Sequence, residues 1–142
     1  MDALIQFFSE GVDFKIESEK AVIQWLLDTV SSEGRQAAVI NIIFCNDEYL
    51  LDLNQRFLDR DTLTDVIAFD YHEEDKEASG DIFISIERIS DNAGRLSLSF
   101  EEELYRVLVH GILHLCGLSD ATADEKAFMT SKEDKYLSLL AF

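Results

Sequence analysis

Proline is absent from the 142 residues, and glycine occurs only six times. The chain therefore has little material for linkers, and no internal repeat or low-complexity tract interrupts it. Cysteine is represented only by Cys45 and Cys116. A single pair is too few for a disulfide framework and predicts a reduced, cytoplasmic setting. No apolar run approaches the roughly 18 residues that a membrane span needs, so no membrane role is expected. The opening Met1-Asp2-Ala3-Leu4 carries no basic residue, and no signal peptide is predicted. Cations are scarce too: 12 Lys and Arg stand against 29 Asp and Glu, a net charge of −17. A chain so acidic repels nucleic acid on average, because phosphate affinity comes from cations that displace counterions. It favours basic protein partners instead.

What the chain does contain is enough for one core. Hydrophobic residues make up 47% and charged residues 29%, values typical of a globular domain. At this length a single domain over 1–142 is expected. The apolar pattern predicts strands over 4–8, 38–44, 65–69 and 81–86. Helices are predicted over 19–30, from a cap at Asn46 or Asp47 to 57, over 89–95, over 99–116 and over 122–140. The expected fold is α+β: a small mixed, mostly parallel four-stranded sheet packed by five to six helices. The acidic run His72-Glu73-Glu74-Asp75-Lys76-Glu77 between apolar segments reads as an exposed, solvated loop. His72 within it could act as a ligand from afar, although its surroundings suit an ordinary surface histidine better.

The strongest helix carries the chemistry. Ser99 and Glu102 match a capping box at its start. Leu104, Leu108, Ile112 and Leu115 follow as one apolar stripe. At about 100° per residue, His110 and His114 fall roughly 40° apart on a different face, with Glu103 and Arg106 nearby. Two imidazoles one turn apart can reach a single metal ion. Gly117 can then take a positive φ and stop the helix, turning Ser119 or Asp120 back toward the imidazoles. The spacing His110, His114, Gly117, Asp120 mirrors the ligand and glycine positions of H-E-x-x-H-x-x-G-x-x-H zinc sites. Three protein ligands with a fourth position left for water would make a catalytic rather than a structural site. The residue after the first histidine is Gly111, however, so the general-base glutamate of those peptidases is missing. A glycine inside a helix costs about 1 kcal/mol relative to alanine, which predicts a close approach of this backbone to a strand or a substrate. Cys116 sits beside the site in sequence, and as a thiol it reads as core.

These residues resemble the YbeY family of bacterial ribosomal-RNA maturation endoribonucleases. His110-Gly111-Ile112-Leu113-His114-Leu115-Cys116-Gly117 is similar to the family signature H-G-x-L-H-L-x-G. Leu53-Asn54 with Thr64-Asp65-Val66-Ile67-Ala68-Phe69 resembles its L-N…T-[DN]-V-L-S-F block, and Gly80-Asp81-Ile82-Phe83-Ile84-Ser85 resembles its G-D-I-x-I-S strand. Met129 and Glu133 fit its C-terminal helix. The resemblance runs from about Ala38 to Leu137 and departs at three places. The third ligand, a histidine in the family, is Asp120 here; a shifted register would put Ala121 there instead. The family's Tyr-Arg dipeptide is Phe57-Leu58, so its arginine is absent, with Arg60 close enough to substitute. The proline before the threonine is Leu63.

The resemblance implies a zinc-dependent endoribonuclease, using one divalent ion held by His110, His114 and Asp120. Its substrate would be single-stranded RNA in ribosomal RNA maturation, including 3′ end processing of small-subunit rRNA, and in ribosome quality control. His114 and Arg60 are its implied catalytic residues, and Arg106 could also offset phosphate charge. Expected partners are rRNA, the small ribosomal subunit and its basic proteins, where charge complementarity speeds encounter. Two other readings are open on sequence: a non-catalytic ribosome assembly factor, and a metallohydrolase of another substrate class.

Overall fold

The computed structural model describes residues 4–58, 64–71 and 76–140. Arg60, Leu63 and His72, with most of the acidic run, lie outside the described residues. In chain order the elements are β1 (Ile5–Ser9), α1 (Glu19–Ser32), β2 (Gln36–Cys45), α2 (Asp47–Leu58), β3 (Val66–Asp70), β4 (Glu77–Ser85), α3 (Ile86–Leu96), α4 (Phe100–Leu115) and α5 (Ala123–Leu137). The strands form one four-stranded sheet in the order β1-β2-β4-β3. β1, β2 and β4 run parallel, and β3 returns antiparallel along β4 as a sheet edge. The mixed, mostly parallel sheet and its helical layers match the expected architecture.

Side-chain alternation along the strands builds two layers. Ile40, Ile42 and Phe44 of β2 and Ile82 and Ile84 of β4 face the main core, where Val22, Leu26 and Val30 of α1 and Leu104, Leu108 and Ile112 of α4 meet them. The opposite face carries a smaller cluster, in which Leu50 and Leu53 of α2 pack with Cys45, Ile67, Phe69 and Phe83. Helix α4 is thus buried between sheet, α1 and α5, and this placement presents its histidine face at the edge beside β3.

Two element starts differ by three or more residues from the sequence reading, and the last helix ends at Leu137 rather than 140. β4 starts four residues before the predicted 81, because Glu77 and Ala78 pair with Gln36 and Ala37 ahead of a register shift. α3 starts at Ile86 rather than 89, because Ser85 ends the strand and caps the helix, its Oγ accepting from the Arg88 N–H at 3.3 Å. The same Oγ donates to Asp47 Oδ1 at 2.6 Å, and Arg88 Nε reaches that carboxylate at 3.0 Å. This polar cluster ties the start of α2 to the start of α3. Asn46 is the residue that caps α2, its Oδ1 accepting from the Tyr49 N–H at 2.8 Å.

Candidate metal centre

Local sequence rules place α4 and its two imidazoles. Ser99 Oγ accepts from the Glu102 N–H at 3.1 Å, and Glu102 Oε1 accepts from the Ser99 N–H at 3.0 Å, completing the capping box. At the other end Gly117 has φ +95°. Its N–H bonds the His114 carbonyl at 3.0 Å, and the Leu118 N–H bonds that of Leu113 at 3.1 Å, a Schellman stop. Mid-helix, a Cβ on Gly111 would lie 2.9 Å from Cγ2 of Ile82. The missing side chain lets α4 sit directly on β4, so the close approach predicted for Gly111 is to a strand.

His110 and His114 are half-buried and fixed from behind. His110 Nδ1 lies 2.5 Å from Glu133 Oε2 on α5, and His114 Nδ1 lies 3.0 Å from the Leu118 carbonyl oxygen. Neither oxygen can donate when Glu133 is ionised, so each Nδ1 carries the proton. In the neutral rings both Nε2 atoms are then left with lone pairs, and they face each other at 3.0 Å. Two facing lone pairs repel unless a cation stands between them. Asp120 Oδ2 is the third corner, 3.4 Å from His110 Nε2 and 3.5 Å from His114 Nε2. Donors bound at about 2.0–2.1 Å in a tetrahedron stand roughly 3.4 Å apart. The separations observed, 3.0 to 3.5 Å, are of that size. These three residues are a group able to hold a metal ion. His114 also stands in the last turn of α4, where the partial negative charge of the helix end favours a cation.

Electrostatics sets the two rings apart. Burial lowers the pKa of His110, but the Glu133 hydrogen bond and charge outweigh it, with Asp120 and Asp65 adding to the rise. For His114 burial and the neighbouring His110 charge together leave the pKa below its ordinary value. Glu133 has a second partner: Arg106 Nη1 at 3.0 Å, whose Nη2 binds Asp134 Oδ1 at 2.7 Å. Arg106 is therefore engaged with carboxylates rather than directed at the pocket as a spare cation. Burial pushes the Asp65 carboxyl up. Asp65, Asn54, Leu58 and Ala68 line, with the three candidate ligands, a pocket of about 520 Å³ beside β3.

The turn after Gly117 thus brings Asp120, rather than Ser119, against both imidazoles. Cys116 is a buried free thiol of the main core, pushed up to about 12 chiefly by burial, as its core reading expects. Sequence reasoning gave Glu133 a place in the last helix but no role at the site, and it passed over the Leu118 carbonyl. The clue for Glu133 is chemical: a ligating histidine requires an acceptor for its second ring nitrogen.

Comparison with known proteins bears on this geometry. The family model "Endoribonuclease YbeY" matches residues 5–141. A Flavobacterium psychrophilum protein named Endoribonuclease YbeY is 48% identical over 132 residues, covering 93% of this chain and 94% of that one. A Porphyromonas gingivalis protein of the same name is 43% identical over 138 residues, covering 97% and 91%. The solution structure of a Thermotoga maritima protein superposes with a TM-score of 0.66 at 30% identity, over 94% of this chain and 87% of that one. Matched by the family model and by these relatives over nearly its whole length, this chain belongs to the YbeY family.

Proposed function

We propose that this chain is a zinc-dependent endoribonuclease that hydrolyses single-stranded RNA in the cytoplasm, within one metallohydrolase domain. The observation that carries the reading is the pair of His110 and His114 Nε2 atoms, 3.0 Å apart, with Asp120 as the third corner beside an open pocket. His110, His114 and Asp120 fit Zn²⁺ because two imidazole nitrogens and a carboxylate oxygen form a usual donor set with a vacant fourth position. When bound, such an ion supplies an acidified water and polarises a phosphoryl oxygen. The chain's own residues do the rest. Glu133 and the Leu118 carbonyl hold the two rings in the tautomer that leaves Nε2 open. Gly117 turns Asp120 inward. Arg60 is proposed to face the phosphate in place of the absent family arginine, and His114 to act as a ligand essential to the chemistry.

The proposed setting is ribosomal RNA maturation and ribosome quality control, including the 3′ end of small-subunit rRNA, with the subunit's basic proteins as partners. The net charge of −17 supports delivery by such proteins. The relatives' shared name, an endoribonuclease, favours hydrolysis over a non-catalytic assembly role. Zinc-loaded protein assayed on single-stranded RNA, with His114→Ala as control, tests the reading. RNA cleavage lost in the variant is expected. Equal cleavage by the variant, or none by the loaded native protein, would overturn it.

A further inference from the structure

β3 ends the sheet on the side of the candidate centre, and β4 is its one strand neighbour. The Ser85 N–H donates to the Asp65 carbonyl at 3.0 Å, and the Tyr71 N–H donates to the Ser79 carbonyl at 3.0 Å. Between these two bonds the antiparallel register runs from Val66 opposite Ile84 to Asp70 opposite Gly80. Bonded and non-bonded pairs alternate along such a ladder. Asp65, Ile67, Phe69 and Tyr71 therefore direct their backbone groups at β4, and Val66 and Ala68 direct theirs outward. Among the described residues, the one hydrogen bond that Val66 and Ala68 receive on that side is from Thr64 Oγ1 to the Val66 carbonyl, at 3.4 Å. Both residues are half-buried and line the pocket of about 520 Å³ together with His110, His114 and Asp120. The helix that carries the imidazoles packs at this point. Leu115, the residue after His114, closes on Gly80, where a Cβ would stand 3.0 Å from its Cδ2, and Gly80 is the partner of Asp70 on β3. The charge of Asp65, one residue before Val66, is felt at His110.

An open strand edge offers a row of donors and acceptors to an extended chain. The occupant follows from continuity, since this edge and the candidate ligands line one pocket. Asp65 and Asp70 flank the open stretch and offer no cation to a phosphate. A neutral group with a donor beside an acceptor suits the Ala68 N–H and C=O, and the Watson–Crick edge of every base is such a group. We propose that the outer edge of β3 is a base-binding track, on which the backbone groups of Val66 and Ala68 bond the Watson–Crick edge of a nucleotide in single-stranded RNA while its phosphate turns toward the metal triad. The inference rests on the endoribonuclease reading and supplies a reason for single-strand selectivity. In a duplex those base edges are already paired and cannot reach the strand. Because a donor beside an acceptor is common to all bases, the track senses pairing rather than sequence.

The test is amide-resolved NMR on the full chain, without added zinc so that the strand stays intact, titrated with a uridine oligonucleotide. The Val66 and Ala68 amides are expected to shift and to exchange more slowly with solvent. Those of Ile67 and Phe69, already directed at β4, should stay in place, and the same oligonucleotide annealed to its complement should move none of them. No shift, a shift without this alternation, or an equal shift from the duplex would overturn the track. Alternation produced by an extended polyalanine peptide but not by RNA would overturn it as well. A second measurement uses zinc-loaded protein and single-stranded RNA. Ala68→Pro deletes the outward N–H at a sheet edge, where proline is tolerated. It should raise KM on the order of fivefold with kcat little changed, whereas Ala68→Gly, which keeps the N–H, should hold the native KM. A native KM in Ala68→Pro that melts as a folded protein counts against the track. RNA cleavage by the native chain with the outward amides unmoved sinks the track alone. Alternation on RNA with no cleavage by the zinc-loaded native chain sinks the endoribonuclease reading alone.

Discussion

Glu133 reaches from α5 to within 2.5 Å of His110 on α4, and the same carboxylate accepts from Arg106 at 3.0 Å. One acid therefore orients a candidate ligand and is itself held in place. Replacing it with glutamine keeps the shape but removes the charge that strengthens the Nδ1–H bond. Glu133→Gln is expected to weaken zinc affinity by roughly 10- to 100-fold, as for other partners that orient metal-ligating histidines. Competition with a colorimetric chelator measures it, and an unchanged affinity would contradict the role.

Asp120 is expected to be the third ligand. Native protein purified with zinc should hold close to one ion per chain, and Asp120→Ala should lose most of it. Asp120→His should retain the ion, because imidazole nitrogen binds zinc at nearly the same distance as carboxylate oxygen. Elemental analysis of the three proteins decides the matter; full occupancy in Asp120→Ala would remove Asp120 from the site.

Gly111→Ala sets helix propensity against packing. Alanine gains about 1 kcal/mol in a helix interior, whereas overpacking a core costs typically about 1–3 kcal/mol. Because the new Cβ would stand 2.9 Å from Ile82 Cγ2 and 3.2 Å from its Cδ1, the clash should win, with a net loss of about 1 kcal/mol. Ile82→Ala in the same chain frees that space. A double-mutant cycle by urea unfolding should therefore return a favourable coupling of about 1–2 kcal/mol. Additive effects would show that α4 shifts away from the sheet instead.

Acid dependence should expose Glu103. It is buried on α4, and burial first, then the nearby Asp65 carboxylate, raise its pKa against the opposing help of Asn92 and Arg106. A carboxyl raised in the folded state favours folding while protonated. Its contribution is full below the unfolded value and is lost as pH rises through the folded one. Glu103→Gln should accordingly melt higher than the native chain near neutral pH and flatten the decline of stability with rising pH. Asp65, shifted in the same direction by burial, should leave part of that decline in place. Thermal melts across the acid-to-neutral range that run parallel for the two proteins would refute the assignment.

Local signals carried most of what the sequence disclosed. The Ser99–Glu102 capping box, the stripe from Leu104 to Leu115 and the Gly117 stop are short-range devices, and α4 begins and ends where they say. The candidate triad was legible for the same reason, since its three members span eleven positions of continuous chain. What escaped was non-local. Glu133 meets His110 across 23 positions, and nothing near either residue announces the contact. The early start of β4 depends on Gln36 and Ala37 as partners. Ser85 is legible as a strand residue, but its second use as a helix cap needs the chain to turn at that point.

The two thiols have a consequence for which metals the protein can recruit. Cys45 and Cys116 are both buried and pushed up to about 12, chiefly by desolvation. At neutral pH each is therefore an intact S–H rather than a sulfur anion, and alkylating reagents or mild peroxide find little to attack. Sulfur-seeking ions such as copper(I) are offered no thiolate here, so selection passes to borderline ions that accept nitrogen and oxygen.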